Sequence, residues 1–359
     1  MAVYLFLIGF SVLHFLLGYA SGKRQKTNRN TILFFFIGMI VLIWLRAPYI
    51  GSDTRNYLRA FERASRLGFS DIFEAYDGEY GYYILNMLIA MLYDNKQFFL
   101  LCIALVSVIP VMCFYKKYSE NALITIGLFL LFLFSMYFSG MRQICAMAFA
   151  FPAYYAAKEK KIFRFSLCVL AAMMFHTSAF ALALLYPIYH AKIKKNSFIL
   201  LVPVIMFVYW QRANIFLFLL GFMPERYEEG YAELTASAAV AVLLLMVLLV
   251  MFTYITADEK KLDQELIGLR NLLVLSMVLQ IFASINNIAM RLNYYYLLFV
   301  PVTISKYVHL SRRRYVQVAR LAEVILSVFF IIYFISQMYT GADILNIFPY
   351  EFYFQNQYF

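Results

Sequence analysis

Charge in this chain is confined to short clusters, and between them run apolar stretches of about 15 to 20 residues. That is the length at which a helix covers roughly 30 Å of hydrocarbon. A membrane β-barrel would instead alternate apolar and polar residues over segments of about ten. A water-soluble fold is excluded on different grounds. With 64% hydrophobic and 14% charged residues, it would lack the polar surface to cover its core. The expected fold is all-α: a polytopic integral membrane protein of about twelve transmembrane helices, with a re-entrant or interfacial segment near 81–93.

The basic residues orient the chain. Nothing basic precedes the first apolar run, and Lys23, Arg24, Lys26 and Arg29 follow it, which predicts an uncleaved first helix that starts outside. Spans at 3–20, 31–45, 97–114, 122–138, 143–157, 163–175, 177–190, 198–210, 236–254, 271–287, 293–308 and 320–337 then place the other basic connectors in the cytoplasm. These are Lys116 with Lys117, 158–161, Lys192 to Lys195, 258–270, and Arg312 to Arg314. A full crossing at 81–93 would reverse Lys116 and Lys117, so that short run is not counted as one. Residues 163–190 allow one 28-residue helix, but basic clusters at both ends favour a hairpin of two short halves.

The chain is expected to be one transmembrane domain, 1–359, in the cytoplasmic membrane, with external loops 46–80 and 211–235. The net charge of +11 is spread through the connectors as an orientation signal, so no nucleic-acid partner is expected. Cys102, Cys113, Cys145 and Cys168 sit inside apolar runs without metal-ligand spacing, so neither a metal nor a cofactor is expected.

The external side gathers the chemistry. Residues 51–66, GSDTRNYLRAFERASR, open with the breaker pair Gly51 and Ser52 and put Asp53, Tyr57 and Phe61 on one helical face. A basic helix lying on lipid headgroups reads similarly, but Asp53 fits that reading only as a cap. Asp77, Glu79, Tyr80 and Tyr82 join carboxylates to phenols, a combination suited to sugar hydroxyls and ring faces. Arg142 and Arg291 lie at outer helix ends, where a guanidinium offers a planar fork of donors for phosphate oxygens. Snorkelling to the interface is the competing role for each. His176 is the one histidine at an external turn and can serve as acid or base. There is no HExxH, P-loop or GxSxG.

These residues resemble the EpsG/Wzy-type polymerases of bacterial exopolysaccharide, capsule and O-antigen synthesis. The resemblance covers most of the chain. It rests on Arg46 with Gly51-Ser52-Asp53, then Tyr57 and Phe61; Glu79-Tyr80-Gly81-Tyr82; Met141-Arg142-Gln143; Phe175-His176-Thr177-Ser178-Ala179; and Arg291 before a tyrosine-rich helix. It implies a membrane glycosyltransferase that joins oligosaccharide repeat units carried on undecaprenyl pyrophosphate, on the outer face, and releases undecaprenyl pyrophosphate. Membrane lipid and a chain-length regulator are the further partners it admits.

Under that implication Arg142 and Arg291 stabilise the leaving group, with Arg46 behind them. Asp53, Glu79 and His176 are candidates for the base, and Tyr57, Asp77, Tyr80 and Tyr82 join Arg46 in substrate binding. A lipid-linked glycan ligase is the nearest alternative. A flippase for lipid-linked sugars is the next, although a transporter would carry charge nearer the bilayer midplane.

Overall fold

The computed structural model describes residues 2–75, 78–193, 195–220, 236–283, 285–312, 315–339 and 345–355. The protein is an all-α polytopic membrane protein, with no strand among the described residues. Helices α1 (Ala2–Ala20) and α2 (Arg24–Leu45) form a hairpin, with Gly18 against Thr27 and Gly38 against Leu7. The connector after α2 folds into α3 (Thr54–Ala64) and α4 (Asp71–Ala75), and then α5 (Tyr80–Leu92) and α6 (Lys96–Tyr118) follow.

Next come α7 (Ala122–Phe132), α8 (Phe134–Ser139), α9 (Met141–Ala148), α10 (Ala150–Lys158) and α11 (Ile162–Phe175). A 3-10 helix, Thr177–Leu184, leads into α12 (Leu185–His190), α13 (Lys195–Trp210) and α14 (Arg212–Leu220). The chain continues through α15 (Ala236–Thr256), α16 (Gln264–Ala283), α17 (Asn287–Leu297), α18 (Val300–Arg312) and α19 (Val316–Tyr339).

Four stretches among the described residues are long and apolar enough to cross a bilayer unbroken: Arg24–Leu45, Lys96–Tyr118, Ala239–Thr256 and Gln264–Ala283. Several expected spans are instead interrupted. The 122–138 run breaks at Leu133, 143–157 at Phe149, and 293–308 between Leu297 and Val300. The 163–190 run breaks at His176, as a hairpin requires. Backbone groups freed by a break inside a membrane protein must find partners within the protein. Phe138, at the end of α8, shows how. Its carbonyl accepts from Nη1 of Arg46 and, at 3.4 Å, from Oγ1 of Thr54.

The core is aromatic. Phe36, Tyr115 and Phe129 meet edge to face, and Phe114 contacts Tyr154 and Phe299. The 345–355 segment returns over the end of α2: Ala47 donates to the Glu351 carbonyl, Gly51 to Asn346 and Ser52 to Leu345.

Lys158 and Lys306 pair with Glu265, Arg270 with Glu259, and Arg312 with Glu323, while Asn28 reaches the Ser119 carbonyl at 2.8 Å. These contacts collect the basic connectors at one end. Arg46, Glu79, Arg142, His176 and Arg291 belong to the other.

The 13-residue α5 is about 20 Å long, short of a crossing. It begins at Glu79 beside the site. The chain is back on that side by Lys96, which pairs with Glu62 of α3 at 2.7 Å, while Phe99 stacks on Phe61. So α5 does not traverse the membrane. The second expected loop, 211–235, starts as helix α14, and its remainder from 221 lies outside the described residues.

Gly51 sets the entry to α3. Its φ is +89°, and an added Cβ would lie 2.0 Å from the Phe138 carbonyl oxygen. Both facts forbid a side chain, the first by backbone strain and the second by collision with a carbonyl that already holds Arg46. Gly51→Ala is expected to cost about 2–3 kcal/mol, seen as a lower thermal unfolding midpoint in detergent. An unchanged midpoint would show that this junction yields.

Candidate functional site

Four breaks in regular structure bring the site together. The turn before α5 carries Glu79, the start of α9 carries Arg142, the turn between α11 and the 3-10 helix carries His176, and the first turns of α17 carry Arg291. Glu79 adopts φ +53°, next to Gly78 at +87°. A non-glycine residue held in the left-handed region has to be compensated by its contacts. Those contacts are extensive. Glu79 Oε2 accepts from Arg142 Nη1 at 2.5 Å, and Oε1 accepts from the Thr177 backbone N–H at 3.0 Å.

One carboxylate therefore ties α9 to the α11 turn, and its side chain is only 11% exposed. Close packing helps to bring the elements together, since a Cβ at Gly81 would meet Met174 at 2.9 Å. Arg142, with its side chain 37% exposed, lies 5.8 Å from the centre of the Tyr57 ring. It is held by α3 as well as by Glu79.

His176 caps the 3-10 helix. Its Nδ1 accepts from the Ser178 backbone N–H at 3.1 Å and lies 2.9 Å from the Ser178 hydroxyl, which is 3.2 Å from the Tyr295 hydroxyl. A backbone N–H can only donate, so Nδ1 is the acceptor and the proton of the neutral ring sits on Nε2. Burial pushes the His176 pKa down, Glu79 opposes this, and Arg142 and Arg291 add to it, leaving it at about 4. His176 is thus neutral at neutral pH. The 3.7 Å separation between its Nδ1 and Glu79 Oε1 joins two acceptors and is not an ion pair.

Arg291 is exposed and acts electrostatically on His176. Its backbone carbonyl accepts from Gln143 Nε2 at 2.6 Å, which ties α17 to α9 beside Arg142. Asp53 is exposed and makes no side-chain capping bond to α3, so the cap that sequence allows it is not formed. It sits near enough to Tyr57 to act on it electrostatically.

The remaining candidates fall elsewhere. Arg46 is fully buried, bonded to the Phe138 carbonyl and 5.8 Å from the Phe138 ring, which makes it a brace for the α8 break and keeps it from solvent. Tyr82 is fully buried against Tyr57 and Tyr83 and shows no ring face to a sugar. Tyr80 is half-buried against Phe73. Asp77 lies outside the described residues.

Sequence reasoning missed Thr177, Ser178, Gln143, Tyr83 and Tyr295. Thr177, Ser178 and Gln143 stand inside motifs already singled out, so adjacency was a usable signal. Tyr83 faces Arg142 and Glu79 electrostatically. Nothing in the sequence separated Tyr295 from its neighbours Tyr294 and Tyr296.

The EpsG family model matches residues 29–352, about nine-tenths of the chain, and the matched region contains every one of these groups. The chain belongs to the EpsG family. This is a family of polysaccharide polymerase-like membrane proteins. No curated protein and no solved structure matches the chain.

Proposed function

We propose that this EpsG-family protein is a glycosyltransferase that polymerises undecaprenyl-pyrophosphate-linked oligosaccharide repeat units. The site would face outward from the cytoplasmic membrane, and undecaprenyl pyrophosphate would be released. The observation that carries this reading is the convergence of Glu79, Arg142 and Arg291 on a neutral His176, at the bundle end opposite the basic connectors. Basic connectors mark the cytoplasmic side, so the opposite end is external.

In the reaction, the bond between the sugar's anomeric carbon and the pyrophosphate oxygen breaks, and that oxygen leaves with the electron pair. An acceptor hydroxyl oxygen bonds to the anomeric carbon and gives up its proton. Arg142 and Arg291 supply fixed positive charge where the pyrophosphate gains negative charge. His176, donating through Nε2–H, adds a neutral hydrogen bond to the same oxygens.

Glu79 is engaged by Arg142 and by Thr177, so it is assigned a positioning role. Asp53 makes no ion pair among the described residues and is assigned as the base that takes the proton.

Purified protein in liposomes, given a defined undecaprenyl-linked repeat unit, should produce a ladder of polymer lengths on a gel. Substrate translocated but never elongated would overturn the assignment in favour of a flippase.

The histidine's role gives a separate result. His176→Gln keeps an N–H donor near the Nε2 position and should retain polymerisation within about tenfold, whereas His176→Ala should fall further. Equal inactivity of both would point to a base. The proton linkage has a definite sign. An unfolded histidine titrates near 6.5 and the folded one near 4, so as pH falls through that window only the unfolded chain takes up the proton. Stability should decline across that window, and His176→Gln should flatten the slope.

A further inference from the structure

At the end of the bundle opposite the site, Tyr118 closes α6 with a ring that is nearly buried. Three ammonium groups from three different helices surround it: Lys117 at 5.3 Å from the ring centre, Lys158 of α10 at 5.4 Å and Lys306 of α18 at 5.4 Å. Lys117 also lies 4.7 Å from the Tyr155 ring. Among the described residues one carboxylate pairs directly with this set, Glu265 of α16, which binds Lys158 through Oε2 and Lys306 through Oε1 at 2.9 Å, while Asp263 acts on Lys158 and Glu159 feels Lys117 at longer range. Lys117 has no carboxylate within ion-pairing distance among the described residues.

Lys117 and Lys158 are exposed, and the third lysine is held deeper. The Lys306 side chain is only 17% exposed. Behind them lie Tyr154 and Tyr189, whose rings meet edge to face at 5.4 Å and which both feel the Glu265 charge. Glu265 pairs with two of the three converging lysines and leaves Lys117 without a direct ion pair, a place that a bound anion would fill. The helix ends place this cluster at membrane-water level. There a Lys-and-aromatic pocket between helices suits a phosphate group, as basic pockets on cytoplasmic sides do for anionic headgroups.

We propose that Lys117, Lys158 and Lys306 around Tyr118 form a binding seat for a phosphate-bearing anion, separate from the polymerisation site. The two lie well apart: Arg142 and Lys158 are 16 residues from each other along α9 and α10, about 24 Å of helix. The headgroup of an anionic lipid in the facing leaflet and a soluble phosphate share this chemistry, and the test separates them.

Short-chain phosphatidylglycerol, short-chain phosphatidylcholine and inorganic phosphate are titrated in turn into the detergent-solubilised full chain, with bound ligand read by native mass spectrometry. Phosphatidylglycerol should bind in preference to phosphatidylcholine, and Lys117→Gln should weaken it about fivefold while Lys117→Arg restores it. Lys117 holds no ion pair, so its replacement leaves the Glu265 contacts in place and the fold intact. Lys116→Gln, an exposed neighbour on the same helix, should change binding less. Binding of inorganic phosphate with the same dependence on Lys117 would support the seat with a soluble occupant. Equal loss in Lys116→Gln and Lys117→Gln, or no preference for either phosphate species, would overturn it.

Discussion

Arg142→Ala is expected to lower polymerisation by about two to three orders of magnitude, leaving single repeat units where the wild-type protein makes a ladder. The size of the effect follows from what Arg142 does in the folded protein. Its guanidinium is already oriented, by Glu79 on one side and the Tyr57 ring on the other, before any pyrophosphate arrives. A preorganised cation stabilises charge that develops during bond cleavage without a reorganisation cost.

Arg142→Lys should fare little better, because a single ammonium cannot hold Glu79 and present a second pair of donors outward. Normal polymer length in either variant, at wild-type expression and unfolding temperature, would remove Arg142 from the mechanism. Arg291→Ala should also collapse the ladder. Its effect is expected to be smaller, since the exposed Arg291 side chain has no ion-pair partner among the described residues to preorganise it as Glu79 does Arg142.

Glu79→Ala is the second large effect. It removes the acceptor for Arg142 Nη1 and for the Thr177 N–H, and it releases the hairpin turn that carries His176. Losing a mostly buried carboxylate that satisfies two donors should cost about 1–3 kcal/mol of stability, at the modest end because Arg142 remains partly hydrated. Activity should fall about as far as in Arg142→Ala. A double-mutant cycle between the two positions tests the shared function: the combined variant should be no worse than either alone in activity. Additive losses would mean that Glu79 and Arg142 act separately.

Much of the site was legible because ionisable groups among apolar spans are few and costly. Arg142, Arg291, His176 and Glu79 stood out on that basis alone, and the fold brings all four to one end. The same reasoning misplaced emphasis on Arg46 and Tyr82. Each has a chemically suitable side chain at a helix end. Whether such a group meets substrate or braces the backbone depends on which neighbour ends there, and for Arg46 that neighbour is the Phe138 carbonyl freed by a helix break. The contact between Ser178 and Tyr295, beside His176, was hidden for a related reason. The two lie 117 residues apart, and a hydroxyl has no sequence signature that reveals its partner.

The apolar run lengths and the basic connectors between them determined, without further help, that this is an all-α membrane protein with its chemistry gathered away from those connectors. Hydrocarbon thickness and the cost of charge within it act on each segment separately, so one segment can be read at a time. Tertiary structure alone decided where the 122–138, 143–157 and 293–308 runs break, and that Glu79 locks Arg142 to the turn carrying His176. Those outcomes depend on which carbonyls, carboxylates and small residues meet across long separations, and only packing settles that.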